Sequence, residues 1–293
     1  MTVRNLKAFL LLPFLILFLS CQKEDVPVTD SDLTDEEISQ KYPDLRMGII
    51  GDSISTFSGS LPSDKDGYDG SKYKSYYPKG DVRKVEDMWW YKVSMLLGSD
   101  FANICNCSWS GSLVTGDSRS VNSAAAGCSD RRISDLSING FNPDIVICFI
   151  SCNDWADNVP LGDWNADDQL PAEGNVSTMR EAYALMLYKI KKRYPSAVIV
   201  CLTNLDDHKR DKTPGQPSNN ADGVSVEEWD RSIAEISDAF GCHTIDLQDC
   251  GINYTNISLY SVDGGLHPNK KGMSLIAKKV AVGISESLSN NES

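Results

Sequence analysis

The sequence predicts one three-layer, doubly wound α/β domain around a mostly parallel sheet of about five strands. Three observations carry this. Several short runs are apolar at consecutive positions, as strands buried on both faces are. Those runs alternate with stretches of helical spacing, the pattern of a parallel sheet covered on each side. No internal repeat appears, and 293 residues with 41% hydrophobic side chains and six Trp can build a single large core.

In chain order, Met47 to Ile50 reads as the first strand and Val85 to Leu97 as the first helix. A second strand is expected near Phe101 to Cys105, then a helix over Asp130 to Ile138. Asp144 to Ile150 is the strongest strand. Thr178 to Tyr194 reads as a helix stopped by Pro195, and Ala197 to Leu202 as the next strand. Ser225 and Glu228 have capping-box spacing and open a helix to Phe240. His243 to Leu247 is the last strand and Lys270 to Leu288 the last helix. In such a sheet, ligands gather beyond the carboxyl ends of the strands. The loops after Ile50, Cys105, Ile150 and Leu202, and the segment before the last helix, are therefore where chemistry is expected.

Residues 1–20 read as an address. Arg4 and Lys7 precede an apolar run, Phe9 to Leu19, that is too short to span a membrane. Ser20-Cys21 after it resembles the lipobox of bacterial lipoproteins, with Phe18 where Leu is usual, which implies acylation of Cys21. Gln22-Lys23-Glu24-Asp25 resembles the tag that sends lipoproteins to the outer face of the outer membrane. Residues 21–44 then form an acylated, polar tether, and residues 45–289 the domain. The expected contact with the membrane is the lipid alone.

The formal net charge of −13 becomes −15 once residues 1–20 are removed. With no basic run to follow a phosphate backbone, nucleic-acid binding is excluded. Nine cysteines are present. Cys148 and Cys201 lie in apolar strands, where a thiol acts as a small hydrophobe, and no Cys-x-x-Cys suggests zinc. Pairing among the remaining cysteines and the oligomeric state stay open.

Gly51-Asp52-Ser53 follows the first strand directly, where a doubly wound sheet would present a nucleophile. Serine needs a base. Of three His, His208 lies in a polar loop and His243 begins a strand. His267 sits in Asp263-Gly264-Gly265-Leu266-His267-Pro268-Asn269, just before the last helix, where Pro268 and Asn269 also suit a helix start. An Asp beside a His would orient the ring and favour its imidazolium.

With Ser110-Gly111-Ser112 after the second strand and Ser151-Cys152-Asn153-Asp154 after the strongest one, the ordered set resembles the signature blocks of the SGNH (GDSL-type) hydrolases. The resemblance runs from about residue 47 to 285. It implies a flavodoxin-like fold and an esterase that needs no metal or cofactor. Ser53 would be the nucleophile, His267 the base and Asp263 its orienter. The oxyanion hole would comprise the backbone amides of Ser53 and Gly111 and the side chain of Asn153. Asp52, Asp154 and Trp155, which flank these groups, are assigned to substrate binding. Two departures stand out. Ser151 replaces the usual Gly, which is tolerated at ordinary dihedrals. Asp263 precedes His267 by four residues rather than three, which a bulge or a backbone carbonyl in its place would accommodate.

Tyr68, Tyr73, Tyr76, Tyr77 and Trp155 suggest aromatic platforms for sugar rings, while Trp89 and Trp90 at helical spacing read as core. The expected substrate is an ester on a small molecule or glycan, with O-acetylated carbohydrate at the cell surface foremost. The alternatives are a lipolytic or thioester-cleaving relative and a glycan-binding module with a compromised triad. The loop from Asn204 to Gly223, with Pro214 and Pro217, reads equally as a lid or a solvated insertion. Asp206, Asp207 and Asp211 do not fit an EF-hand.

Overall fold

The computed structural model describes residues 42–60, 75–116, 126–137, 140, 142–205 and 219–291. Cys21, most of the tether, Tyr68, Tyr73, His208, Asp206, Asp207, Asp211 and the two loop prolines lie outside them. Five strands form one parallel sheet in the order β2-β1-β3-β4-β5: β1 (Met47–Gly51), β2 (Ile104–Asn106), β3 (Ile145–Phe149), β4 (Val198–Leu202) and β5 (His243–Ile245). β1 and β3 are buried along their whole length. Each large aliphatic side chain buried this way contributes about 1.5–3 kcal/mol, which explains why neither strand alternates in polarity.

Seven helices complete the described fold: α1 (Trp89–Leu97), α2 (Asp130–Ser134), α3 (Cys152–Ala156), α4 (Met179–Arg193), α5 (Val226–Ala239), α6 (Ile257–Tyr260) and α7 (Lys270–Asn291). Two buried clusters mark the two covered faces. One joins α1 and α7 to the sheet through Trp89, Val93, Ile147, Val200 and Ile276. The other joins α2, α4 and α5 through Ile133, Val146, Cys148, Met186 and Ile233. The result is the expected three-layer sandwich.

Caps fix the helix starts. Thr178 and Glu181 form a reciprocal capping box on α4, and Ser225 Oγ accepts from Glu228 N at 3.1 Å on α5. Several elements differ from the sequence reading. Val85 to Leu97 is not one helix: Val85–Asp87 is a 3-10 turn, Met88 is extended, and α1 starts at Trp89. Asp87 Oδ2 turns back to accept from Arg83 N (2.8 Å) and Lys84 N (3.0 Å), which closes the first turn on itself. The second strand starts later, because Asp100 caps a 3-10 turn over Phe101–Asn103. Finally, α2 ends at Ser134 rather than at Ile138, and α3 and α6 were not anticipated. Tyr42, assigned to the tether, is already docked, with its N–H donating to Leu97 O at 3.1 Å. No disulfide joins any two of the eight described cysteines.

The strand order places the topological switch between β1 and β3. The chain leaves β1 for β2 on one side, while β3 lies on the other, so a crevice opens above their carboxyl ends. Three segments meet there: residues 52–56 after β1, 107–114 after β2, and 151–156 after β3.

Candidate active site

Ser53 opens a one-turn 3-10 helix, Ser53–Ser55, directly above β1. Asp52 Oδ1 caps that turn by accepting from Ile54 N at 3.0 Å. A Cβ on Gly51 would lie 2.7 Å from the hydroxyls of both Ser55 and Ser108, so this sharp exit requires glycine. From below, Trp89 Nε1 donates to Ser55 Oγ (3.2 Å), and Trp90 Nε1 (3.0 Å) and Asn106 Nδ2 (2.8 Å) donate to Ser55 O. The paired tryptophans are thus core side chains that also brace the serine turn.

The segment before α7 delivers the imidazole. His267 Nε2 lies 2.8 Å from Ser53 Oγ, and His267 Nδ1 lies 2.6 Å from Asp263 Oδ2. A carboxylate only accepts, so the ring proton sits on Nδ1 and the Nε2 lone pair faces the serine hydroxyl. The four-residue spacing does not separate the pair. Asp263 Oδ1 accepts the N–H groups of Gly265, Leu266 and His267 at 3.0–3.3 Å, so the additional residue closes a turn around one oxygen and leaves the other for the ring. Asn269 Oδ1 accepts from Gly272 N at 3.0 Å and starts α7, which anchors the turn.

The β2 and β3 loops supply the remaining groups. Gly111 has φ +77° and open space where a Cβ would be, which lets a ligand approach its backbone. Asn153, in the first turn of α3, donates from Nδ2 to Ser112 O at 3.0 Å. An amide nitrogen carries two hydrogens, so a second donor remains. Among the described residues, the N–H groups of Ser53 and Gly111 have no protein acceptor.

Burial corrects three assignments. Asp154 is fully buried. Its Oδ2 accepts from Val114 N (2.8 Å), and its Oδ1 accepts from Thr115 N (3.1 Å) and Thr115 Oγ1 (2.8 Å). Burial nevertheless pushes its carboxyl up to about 6. It ties the β2 loop to α3 and cannot reach a substrate. Trp155 is buried too, its Nε1 donating to Val224 O at 3.0 Å. Asp52 is 1% exposed and accepts from the Cys152 thiol at 3.0 Å, linking the serine turn to α3. Burial raises its pKa, against the opposing effect of the Cys152 and Ile54 donors. A motif shows which residues adjoin a site but not which way they face.

Ser151 departs from ordinary dihedrals, with φ 120° and ψ −9°. Its backbone takes the left-handed conformation that the usual glycine adopts freely.

Two contributors have no motif. Arg132, on α2, is fully buried. It donates to Gly51 O (2.7 Å), Cys107 O (2.9 and 3.2 Å) and Ser112 Oγ (3.0 Å), joining the two strand ends to the glycine loop. Tyr76 stacks on His267. An Arg beside Ile133 in a helix facing the sheet was the available signal for the first. For Tyr76 the only signal was membership of a tyrosine-rich stretch.

A sequence model of the family described as GDSL-like lipase/acylhydrolase matches residues 45–217, more than half of the chain. That stretch contains Ser53, Gly111 and Asn153 and ends before Asp263 and His267. No curated protein matches the sequence. Among solved structures, a candidate GDSL-like lipase from Bacteroides uniformis aligns with TM-score 0.59 at 26% identity, covering 83% of this chain and 96% of that one. One from Bacteroides ovatus aligns with TM-score 0.58 at 25% identity, over 83% and 99%. A Lactobacillus plantarum protein shares the fold at 17% identity and TM-score 0.58, over 83% and 98%.

Proposed function

This chain belongs to the GDSL-like lipase/acylhydrolase family and is an ester-hydrolysing enzyme, and from that premise we propose that it is a serine esterase whose triad is Ser53, His267 and Asp263. The observation that carries the reading is the unbroken line of short contacts, Ser53 Oγ to His267 Nε2 at 2.8 Å and His267 Nδ1 to Asp263 Oδ2 at 2.6 Å. In this reading Ser53 Oγ attacks the ester carbonyl as its proton passes to Nε2, and Asp263 balances the resulting imidazolium. The developing oxyanion takes the N–H groups of Ser53, Gly111 and Asn153, each such donor contributing about 3 kcal/mol. Collapse breaks the carbonyl–alkoxy bond, and the alcohol leaves with the Nε2 proton. Water then attacks the acyl-serine, His267 removes its proton, and the acid departs with Ser53 restored.

The substrate proposed is a short acyl ester on a carbohydrate, O-acetyl foremost, presented at the surface of the cell. Among the described residues, the strongly exposed apolar side chains are Met95, Phe101, Tyr188, Leu259 and Val282. None lies on the loops that follow β1, β2 or β3. Gly111 and Lys79 are exposed there, with Asn153 and Tyr76 half-buried, a rim that suits a hydrated sugar better than a long acyl chain. The surface location rests on the leader and Cys21 pattern. Trp155 and Tyr77 are buried and lend nothing to a sugar platform.

A fluorophosphonate applied to the purified protein tests the triad. Adduct on Ser53 that vanishes in His267→Ala is expected, and an unlabelled wild type would overturn the reading. Acetyl esters should be cleaved faster than long-chain esters of the same alcohol, with the reverse order sinking the short-acyl assignment.

A further inference from the structure

Tyr76 sits between the two arms of the site. Its ring lies parallel to the His267 imidazole, with centroids 3.4 Å apart and planes 9° apart. Its hydroxyl donates to Asp263 Oδ2 at 3.2 Å, the oxygen that also faces His267 Nδ1. Its backbone N–H donates to Thr56 Oγ1 at 2.8 Å, and Thr56 Oγ1 in turn donates to Ser53 O at 2.9 Å. The next residue fixes the segment: Tyr77 is buried, its hydroxyl donates to Pro268 O at 2.6 Å, and its carbonyl accepts from Ser58 N at 3.0 Å. One strap therefore touches the serine turn, the imidazole and the carboxylate. Lys79 Nζ lies 4.3 Å from the centroid of the Tyr76 ring.

Taking the proposed triad as its basis, we propose that Tyr76 is a positioning residue for ester hydrolysis, acting through His267 and Asp263. Its two parts do separate things. The ring excludes water from one imidazole face and holds the ring plane, so that both nitrogens stay in line between Ser53 and Asp263. Its π-electrons also face the imidazolium that forms when Ser53 gives up its proton, an attraction absent in the neutral resting ring and therefore specific to the transition state. The hydroxyl satisfies a second lone pair of Asp263 Oδ2 and keeps that oxygen aimed at Nδ1. No atom of Tyr76 is consumed, and the proton passes only between Ser53, His267 and the leaving group.

The test uses two variants of the purified protein with two readouts, turnover of an acetyl ester and the proton NMR signal of the His267 Nδ1–H. Tyr76→Phe keeps the stacked ring and removes the hydroxyl, and Tyr76→Leu removes both. We expect kcat to fall about threefold in Tyr76→Phe, as the loss of one hydrogen bond implies, and roughly thirtyfold in Tyr76→Leu, which also loses the face-on cation–π contact, with KM held within about twofold. The Nδ1–H signal should move downfield in Tyr76→Phe, where Asp263 Oδ2 loses its competing donor. In Tyr76→Leu it should broaden through exchange. A folded Tyr76→Leu with wild-type kcat, or one that changes KM alone, overturns the inference. Should Tyr76→Leu fail to fold, an unmoved Nδ1–H signal in Tyr76→Phe overturns it instead. Wild-type protein that resists fluorophosphonate would sink the triad reading, while the NMR comparison would still decide whether Tyr76 governs the His267–Asp263 pair.

Discussion

The indole of Trp229 donates to the Ser151 hydroxyl across 3.2 Å, at the point where β3 turns into the helix that carries Asn153. That bond explains why a serine occupies a backbone conformation better suited to glycine. The strained φ of 120° costs on the order of 1–2 kcal/mol, and satisfying a buried indole N–H returns a similar amount. Ser151→Gly should therefore leave stability near that of the wild type. Ser151→Ala keeps the strain and orphans the indole, so it should be less stable than Ser151→Gly by about 1–2 kcal/mol. Urea denaturation of the three proteins decides this, and equal midpoints for the Ala and Gly variants would show the backbone is not strained.

Much of the sheet was legible because β1, β3 and β4 are short, apolar and bounded by polar turns, and the order of the blocks along the chain located Ser53, Gly111, Asn153 and His267. What escaped has a common cause. α3 is only five residues long, below the length at which helical periodicity can register. Asp154 and Trp155 look like site residues because they follow Asn153, yet one turn of helix rotates them into the protein. Met88 breaks a helix that the spacing of apolar residues favours, because Asp87 folds back on the preceding amides. Arg132 acts through contacts as far as 81 positions away, which no local pattern encodes.

Arg132 should tolerate no substitution, lysine included. Its guanidinium reaches Gly51 O, Cys107 O and Ser112 Oγ at once, a fork that one ammonium cannot reproduce. Arg132→Lys is expected to lose about 2 kcal/mol of stability and Arg132→Met about 3–5 kcal/mol, since Cys107 O loses its guanidinium donors and Gly51 O is left with the Trp109 N–H. Turnover should fall more than binding, because Gly51 O lies just before the nucleophile turn. Chemical denaturation and steady-state kinetics check both, and a wild-type kcat in folded Arg132→Lys would show that the fork does not position the turn.

Asp230 gives the fold a pH dependence. Burial raises its carboxyl to about 7, against the N–H donors of Asn204 and Gln248, with the negative charge of Asp246 adding to the rise. An acid whose folded pKa exceeds its unfolded value binds more protons when folded. Its stabilising contribution is complete below about pH 4 and is lost as pH rises through about 7, a change on the order of a few kcal/mol. Compared with Asp230→Asn, which does not titrate, the wild type should lose stability steadily between those limits. Urea midpoints at pH 5, 6 and 7.5 measure the difference, and parallel curves for the two proteins would refute the assignment.

Asp263→Asn tests the carboxylate whose spacing departs from the family pattern. The amide oxygen of Asn could still accept from Gly265, Leu266 and His267, so the turn should survive. Its nitrogen would then face His267 Nδ1 as a donor and favour the tautomer with the proton on Nε2. That proton would point at Ser53 Oγ, and the imidazole could no longer take the hydroxyl proton. A fall in kcat on the order of 10³–10⁴ is expected, with KM and stability little changed. If a backbone carbonyl rather than Asp263 oriented the ring, the tautomer would be unaffected and the loss would stay within about tenfold. Because Asp263 Oδ1 holds three amides, Asp263→Ala should also loosen the turn and lower stability by roughly 1–3 kcal/mol. A large kinetic defect in Asp263→Asn without that stability loss is the outcome that separates orienting the ring from building the turn.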